Sequence, residues 1–435
     1  MKSLPIGMFT FYILLTLFLS FFGPMKYYNY EKTWVFIYIV CFLICLFIGY
    51  AFANKHKIVI RKSTGFLMEK KSLEERQNKM LKFITLAIFI ALLSIFLEFI
   101  EILIKAPSSL ALNSMARNYL NVRETSQNYS FPILFRFATG FFRNISLILG
   151  FYYWKRLKKK DKIGMLLFIA FLIIVNMIAY GTQKFIGDII IYITIILAIK
   201  MINMSRNNKR KIIIYASLLL IAAILMFAFV QAQRYDMLGI TAQNFEARSN
   251  GLQYFDTNHI IFKIFGFKYG LGIAILLTGY LSSGYYGLSL CFNLPFEWTY
   301  GVGNSYFISK LISLILGLPS IYEKTYLNRM AEQYGRNGLQ SWNTIFPWLA
   351  SDFTFIGALI IFILVGYIWQ VSWLEILRYR NPVSIVLFTT ISLGLIFVPA
   401  NNQLFNGIDT YVSTILILFF WILYHKKYNF ISLDD

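Results

Sequence analysis

The sequence predicts an all-α fold: a polytopic integral membrane helical bundle with 10–12 transmembrane helices and a large extracytoplasmic loop carrying re-entrant or amphipathic helices. Three observations predict it. Of 435 residues, 58% are hydrophobic and 18% aromatic, while only 14% are charged, far from the balance of a soluble domain. Apolar windows of the roughly 20 residues needed to cross about 30 Å of hydrocarbon recur along the chain. Lysine and arginine gather in short runs between those windows.

Taken in order, the spans fall near 4–22, 33–53, 83–104, 131–153, 163–180, 186–203, 212–230, 353–374, 382–399 and 408–424. The first has the length of a signal peptide, but no small-residue cleavage site follows it, so it reads as a retained anchor. Nine basic residues lie between Lys55 and Lys82, six between Lys155 and Lys162, and four between Arg206 and Lys211. Basic loops are retained on the cytoplasmic side, so both termini are expected inside and residues 231–352 outside. The chain then divides into an N-terminal bundle of seven spans, 1–230, a large outer loop region, 231–352, and a C-terminal bundle of three spans, 353–435. The net charge of +21 reflects this topology and anionic headgroups, not nucleic acid.

Soluble catalytic motifs are absent from the sequence. Cys41 and Cys45 sit inside one span, Cys291 is remote, and the three histidines are scattered, so no disulfide framework or metal-ligand spacing is present. No CxxC, HExxH, phosphate-cradling GKS or GKT loop, or GxSxG elbow occurs.

Residues 231–352 are too apolar and aromatic for a disordered linker, so the segment is expected to fold against the membrane. Its stretches 271–292 and 304–318 are oily enough for a hairpin of spans. The connection NLPFEWTYGVG between them carries no lysine or arginine, which favours re-entrant or surface-lying helices.

Four of the eight basic residues there are arginines: Arg234, Arg248, Arg329 and Arg336. The planar guanidinium grips phosphate oxygens in a bidentate way, which points to a phosphate ligand, whereas pairing with local acids would make the same arginines structural. If YLNRMAEQYGR is helical, Arg329, Glu332 and Arg336 share a face, Glu332 orients one of the arginines, and Gly335 or Gly338 ends the helix. Trp342, Pro347 and Trp348 read as interfacial anchors. Ser351 or Asp352 is placed to cap the next helix, and Asp352 is also a candidate catalytic carboxylate.

Charges inside spans are functional candidates. Glu98 and Glu101 share one face, and Arg136 and Arg143 share a face of the next span, so Arg136 is expected to meet Glu101. A structural ion pair and a cavity lined by these groups both remain open. The tight turn AYGTQKFIGDII adds Lys184 and, one turn on, Asp188.

The GTQK turn, an arginine emerging from a span in FVQAQRYD, the large outer loop and NTIFPWLASDF followed by Gly357 together resemble the Wzy-type O-antigen polymerases, the oligosaccharide repeat-unit polymerases. Asn343, Thr344, Pro347, Asp352, Phe353 and Gly357 match that family's late motif. Thr354 stands where relatives carry a glycine, and Lys184 where they commonly carry arginine. The resemblance implies a glycosyltransferase of the bacterial inner membrane, working on its outer face and needing no metal or cofactor. Such enzymes move a growing glycan from undecaprenyl pyrophosphate to another lipid-linked repeat unit, in company with membrane lipids, a chain-length regulator and a flippase.

In that setting Arg234, Arg248, Arg329 and Arg336 are candidates for pyrophosphate or glycan binding, with Lys184, Arg136, Trp342 and Asn343 beside them. Glu332, Asp352, Asp256 and His259 are the candidate bases. Tyr280, Tyr285, Tyr286, Trp298 and Trp342 could stack on sugars or anchor the interface. An O-antigen ligase is a sister reading, kept open by His259. A polysaccharide flippase or other transporter is the reading from another class.

Overall fold

A chain that crosses lipid must satisfy its backbone hydrogen bonds internally, and this one does so with helices. The computed structural model describes residues 2–55, 66–110, 131–182, 184–202 and 204–424. In chain order the elements are α1 (Leu4–Phe22), β1 (Met25–Tyr27), α2 (Lys32–Lys55), α3 (Phe66–Lys105), α4 (Phe131–Tyr152) and α5 (Lys159–Ile173), which runs into a π turn at Ile174–Ala179. Next come α6 (Lys184–Met201), α7 (Arg206–Met237), α8 (Ala242–Arg248), β2 (Gln253–Phe255) and α9 (Ile260–Ala274), with a π turn at Ile275–Tyr280. The chain ends with α10 (Gly284–Cys291), α11 (Tyr306–Leu316), α12 (Tyr326–Tyr334), α13 (Ile345–Tyr379), α14 (Pro382–Ile396) and α15 (Ile408–Tyr424).

Each of the ten expected windows holds a helix. Among the described residues eight helices are long and apolar enough to cross a membrane, whereas α11, α14 and α15 are shorter. The protein is therefore an all-α, multi-pass membrane protein. Its helices present large apolar side chains outward, as Phe11 and Phe18 do on α1, because lipid is their solvent.

Two compact units interleave along the chain and cut across its sequential division. Unit 1 takes residues 1–52, 204–368 and 394–406; unit 2 takes 53–203, 369–393 and 407–435. In unit 1, α2 and α13 approach through glycines. A Cβ at Gly49 would stand 1.8 Å from the Ile363 carbonyl oxygen, and one at Gly366 would stand 2.2 Å from that of Leu46. Small residues permit such backbone contact between membrane helices.

Three helices break where a span would continue. At Thr354 the backbone of α13 takes φ 63°, ψ 167°, and the helix folds back on itself. Phe346 and Phe362 are 16 residues apart, roughly 24 Å in a straight helix, yet their rings lie 5.7 Å apart and both pack on Phe42. Residues 345–353 thus form a short arm antiparallel to the long part of α13. Gly266 makes a similar break in α9, at φ 67°, ψ 170°. There a Cβ at Gly270 would lie 3.2 Å from the Ile261 carbonyl oxygen, and Phe262 stacks on Phe267 at 5.3 Å. The third element is α14, which stops at Ile396, whose carbonyl accepts from the Tyr12 hydroxyl at 2.8 Å, halfway along α1.

The hairpin in α9 bears on the expected re-entrant helices. By composition Ile260–Tyr280 qualifies as a span, yet both of its ends return to β1. Asp256 N–H donates to the Pro24 carbonyl at 2.8 Å, and the Tyr27 hydroxyl donates to that of Thr278 at 3.4 Å. Met25 and Phe255 pair in the antiparallel β1–β2 ribbon and share a core with Phe245, Phe262, Leu271 and Ile275. The ribbon fixes the 23–31 loop and the segment after α8 at the same end of unit 1.

Thr354 occupies a region of φ and ψ that is essentially restricted to glycine and costs about 1–3 kcal/mol in other residues. Its hydroxyl recovers part of that by accepting from Gly357 N–H at 3.3 Å, a cap whose loss to glycine costs only a few tenths of a kcal/mol. Thr354→Gly is therefore expected to stabilise the protein by about 1–2 kcal/mol, read as a raised thermal midpoint in detergent; a lowered midpoint would show that the hydroxyl outweighs the strain.

Candidate functional site

The polar centre of unit 1 forms around Arg336. Thr325 starts α12 by accepting from Asn328 N–H, and Gly335 ends it in the left-handed conformation, φ 70°. Arg336 therefore lies past the helix, which corrects the expectation that it shares a helical face with Arg329 and Glu332. Its side chain turns inward and is 4% exposed. Nη2 donates to the carbonyls of Ser283 at 3.2 Å and Trp342 at 2.9 Å, and the guanidinium lies 5.3 Å from the Tyr286 ring centre. Tyr286 is stacked in turn on Tyr27 at 4.6 Å.

Among the described residues no carboxylate pairs with Arg336, and its Nε is buried without a hydrogen-bond partner. Burial pulls the guanidinium below the usual arginine range, opposed by Tyr27, Tyr286 and Cys291. Arginine remains charged even so.

The α13 arm, the stretch after α14 and α10 supply the walls. Asn343 N–H donates to the Ala400 carbonyl and Ile345 N–H to that of Val398, each at 3.0 Å, so the start of the α13 arm lies along the non-helical stretch after α14. A Cβ at Gly284 would stand 2.0 Å from the Pro399 oxygen, which brings α10 against the same stretch. A Cβ at Gly287 would stand 2.1 Å from Asn343 Oδ1 and 3.4 Å from Arg336 Nε, so its absence lets both side chains pack against the α10 backbone. Asn343 Oδ1 and Thr344 Oγ1 are buried without partners, while Asn343 Nδ2 donates to the Gly338 and Ser341 carbonyls. One cation, one amide oxygen and one hydroxyl thus offer both donors and acceptors to a polar ligand.

Asp352 binds the 299–304 loop. It does not cap its own helix. Its Oδ1 accepts from Thr299 Oγ1 at 2.5 Å and Gly303 N–H at 3.0 Å, and its Oδ2 accepts from Asn304 N–H and Nδ2, both at 2.9 Å. Ser351 accepts from Tyr326 N–H at 3.1 Å. These neighbours latch the 299–304 loop and the start of α12 to the α13 arm. With both oxygens engaged, Asp352 is poorly placed to collect a proton.

The remaining expected residues are held locally. Arg329 Nη1 donates to the Pro295 carbonyl at 2.7 Å and pairs with Glu297 at 3.2 Å, while Nε reaches the Lys324 carbonyl. It tethers the 295–297 loop to α12. Glu332 accepts from Asn328 rather than orienting either arginine. Asp256 accepts from Asn258 N–H, and His259 caps α9 through Nδ1. Arg248 is exposed in the last turn of α8, and the Arg234 side chain lies outside the described residues. Trp342 packs on Tyr280 at 5.2 Å, Tyr285 meets Thr16, and Trp298 and Tyr300 form an exposed pair at 5.1 Å.

Unit 2 holds a separate charge network. Arg136 grips Asp409 through Nε and Nη2, both at 2.7 Å, and Glu98 through Nη1 at 2.8 Å. Arg143 reaches Asp409 at 3.3 Å and Glu98 at 3.6 Å, and the Tyr180 hydroxyl donates to Glu98 at 3.0 Å. The expected Arg136–Glu101 pair is not formed, because Glu101 sits one turn further along α3 and pairs with Lys105. Two guanidinium groups balance two carboxylates here. With its donors committed to acids, Arg136 reads as a lock between α3, α4 and α15, with the half-buried Lys184 nearby on α6. The sequence offered one signal for Asp409, a lone acid in the first turn of an apolar helix. For the 397–400 stretch it offered none.

Comparisons with protein-family models, curated proteins and solved structures give no match to this chain.

Removing one partner of a buried network costs about 3–5 kcal/mol. Arg136→Ala should therefore lower the thermal midpoint sharply and reduce monodisperse protein in detergent, while Glu101→Ala should leave both nearly unchanged. Asp352→Asn, which retains the shape but not the charge, should cost about 2–3 kcal/mol through its weakened bonds to the loop, seen as faster proteolysis within residues 299–304.

Proposed function

We propose that the protein is a glycosyltransferase of a bacterial cytoplasmic membrane, facing outward, that polymerises lipid-linked oligosaccharide repeat units. The observation that carries this reading is Arg336, a buried guanidinium with no carboxylate partner among the described residues and an unengaged Nε. A cation held this way is preorganised for an anion, because it would gain the counter-charge that the fold withholds. The α13 arm adds the partial positive charge of its amino-terminal end at Ile345. Non-helical backbone within a membrane bundle is tolerated where protein buries it or a polar cavity is lined, and the stretches before the α13 arm and after α14 meet here.

In this reading an acceptor hydroxyl attacks the anomeric carbon of the donor glycan. A carbon–oxygen bond forms, the bond to pyrophosphate breaks, and undecaprenyl pyrophosphate departs with the electron pair. Arg336 meets the negative charge that develops on the leaving group. Asn343 and Thr344 orient its oxygens. The departing pyrophosphate takes up the hydroxyl proton, since Asp352 is engaged by the 299–304 loop and Asp256, His259 and Glu332 are held in local turns and helices.

Deleting the protein from a strain with a single polymerase should collapse the surface glycan to one repeat unit on its lipid core, read on a gel. An unchanged ladder would rule the reading out, and loss of all repeats would point to a ligase or a flippase. Arg336→Ala at unchanged protein level should lower chain extension by about 10²–10³-fold, as for removal of a charge-stabilising donor; Arg329→Ala should act through stability instead.

A further inference from the structure

Unit 2 contains a cavity of about 310 Å³ that opens between α3, α4, α14 and α15 and is lined by Phe83, Phe141, Ile145, Val386, Ile417 and Phe420, among other apolar side chains. Apolar cavities stay dry, and beside lipid the medium that fills one is hydrocarbon. At one rim stands the lysine-rich end of α3. Lys79 lies one turn before Phe83 on the same helical face, and Lys82 immediately precedes Phe83. Arg378, in the last turn of α13, comes four residues before the cavity residue Pro382. Lys79, Lys82 and Arg378 are exposed, and among the described residues no acid pairs with them.

We infer that this cavity is a binding site for an anionic phospholipid, with an acyl chain among the phenylalanines and the headgroup phosphate on Lys79, Lys82 and Arg378. The occupant follows from charge complementarity. A fully apolar slot takes any chain, but a rim of uncompensated cations selects a negative headgroup, as basic pockets between membrane helices do. Lysine stems lie along apolar surface and deliver the charge at headgroup depth. The site is independent of the glycan reading, since it lies in unit 2 and uses none of the residues around Arg336.

The test uses full-length protein, delipidated in detergent and titrated with phosphatidylglycerol or with phosphatidylcholine of the same chains, with bound lipid counted by native mass spectrometry. Phosphatidylglycerol should bind at least about tenfold tighter, and each of Lys79→Gln, Lys82→Gln and Arg378→Gln should weaken it by roughly fivefold without moving the lipid-free thermal midpoint. Val386→Trp, which fills the slot, should reduce binding of both lipids. If that variant fails to fold, the exposed charge variants decide alone. Equal affinity for the two lipids, or phosphatidylglycerol binding unchanged in the triple glutamine variant, overturns the proposal. So does co-purification of a polyprenyl phosphate that phosphatidylglycerol does not displace.

Discussion

A guanidinium buried in a membrane bundle without a counter-charge costs several kcal/mol, and the fold of unit 1 is arranged around that cost. Arg336 is compensated only in part: two backbone carbonyls, the face of Tyr286 and the tyrosine stacked behind it. Those carbonyls come from the start of α10, at Ser283, and from the non-helical stretch before the α13 arm, at Trp342. The Asp352 latch, the Gly284 contact and the β1–β2 ribbon then hold these irregular pieces, which have no helical ladder of their own.

Unit 2 solves the opposite problem. Arg136 and Arg143 are balanced in charge by Glu98 and Asp409, with Tyr180 donating to Glu98, although Arg143 Nη2 and Glu98 Oε2 stay buried without a hydrogen bond. A close approach at Gly140, where a Cβ would stand 2.3 Å from the Asp409 carbonyl oxygen, is what brings α15 near enough for that exchange. Buried arginines thus occur in both units with different electrostatic meaning. The neutral network closes helices together, whereas the uncompensated cation keeps an affinity in reserve, and the glycosyltransfer proposal rests on that difference.

Most of the fold was legible in the sequence, and much of the site was not. Ten helices were readable from apolar windows because hydrophobic length is a local property. Gly335 was readable as a helix end for the same kind of reason. Arg336 was readable as a candidate from residue type alone, yet its position on a helical face was wrong by two residues, because Gly335 stops the helix just before it. Asp409 was passed over, since its importance comes from two arginines more than 260 positions away. Thr354 is instructive: the resemblance marked it as the place of a glycine, and the backbone there shows why glycine fits.

By itself the sequence determined the solvent, the helices and their charge asymmetry, because burying apolar side chains in lipid depends on composition and spacing within about 20 residues. Tertiary structure alone decided which helices fold back and that the buried Arg336 meets no acid among the described residues. Ile260–Tyr280 has the composition of a span, but Gly266 and the pairing of its ends with β1 make it a hairpin. Arg329 and Arg336 each meet two carbonyls and a tyrosine ring, yet among the described residues only Arg329 also meets an acid, Glu297. Which partner a charge finds depends on long-range packing, and packing is set by all the contacts of the fold at once.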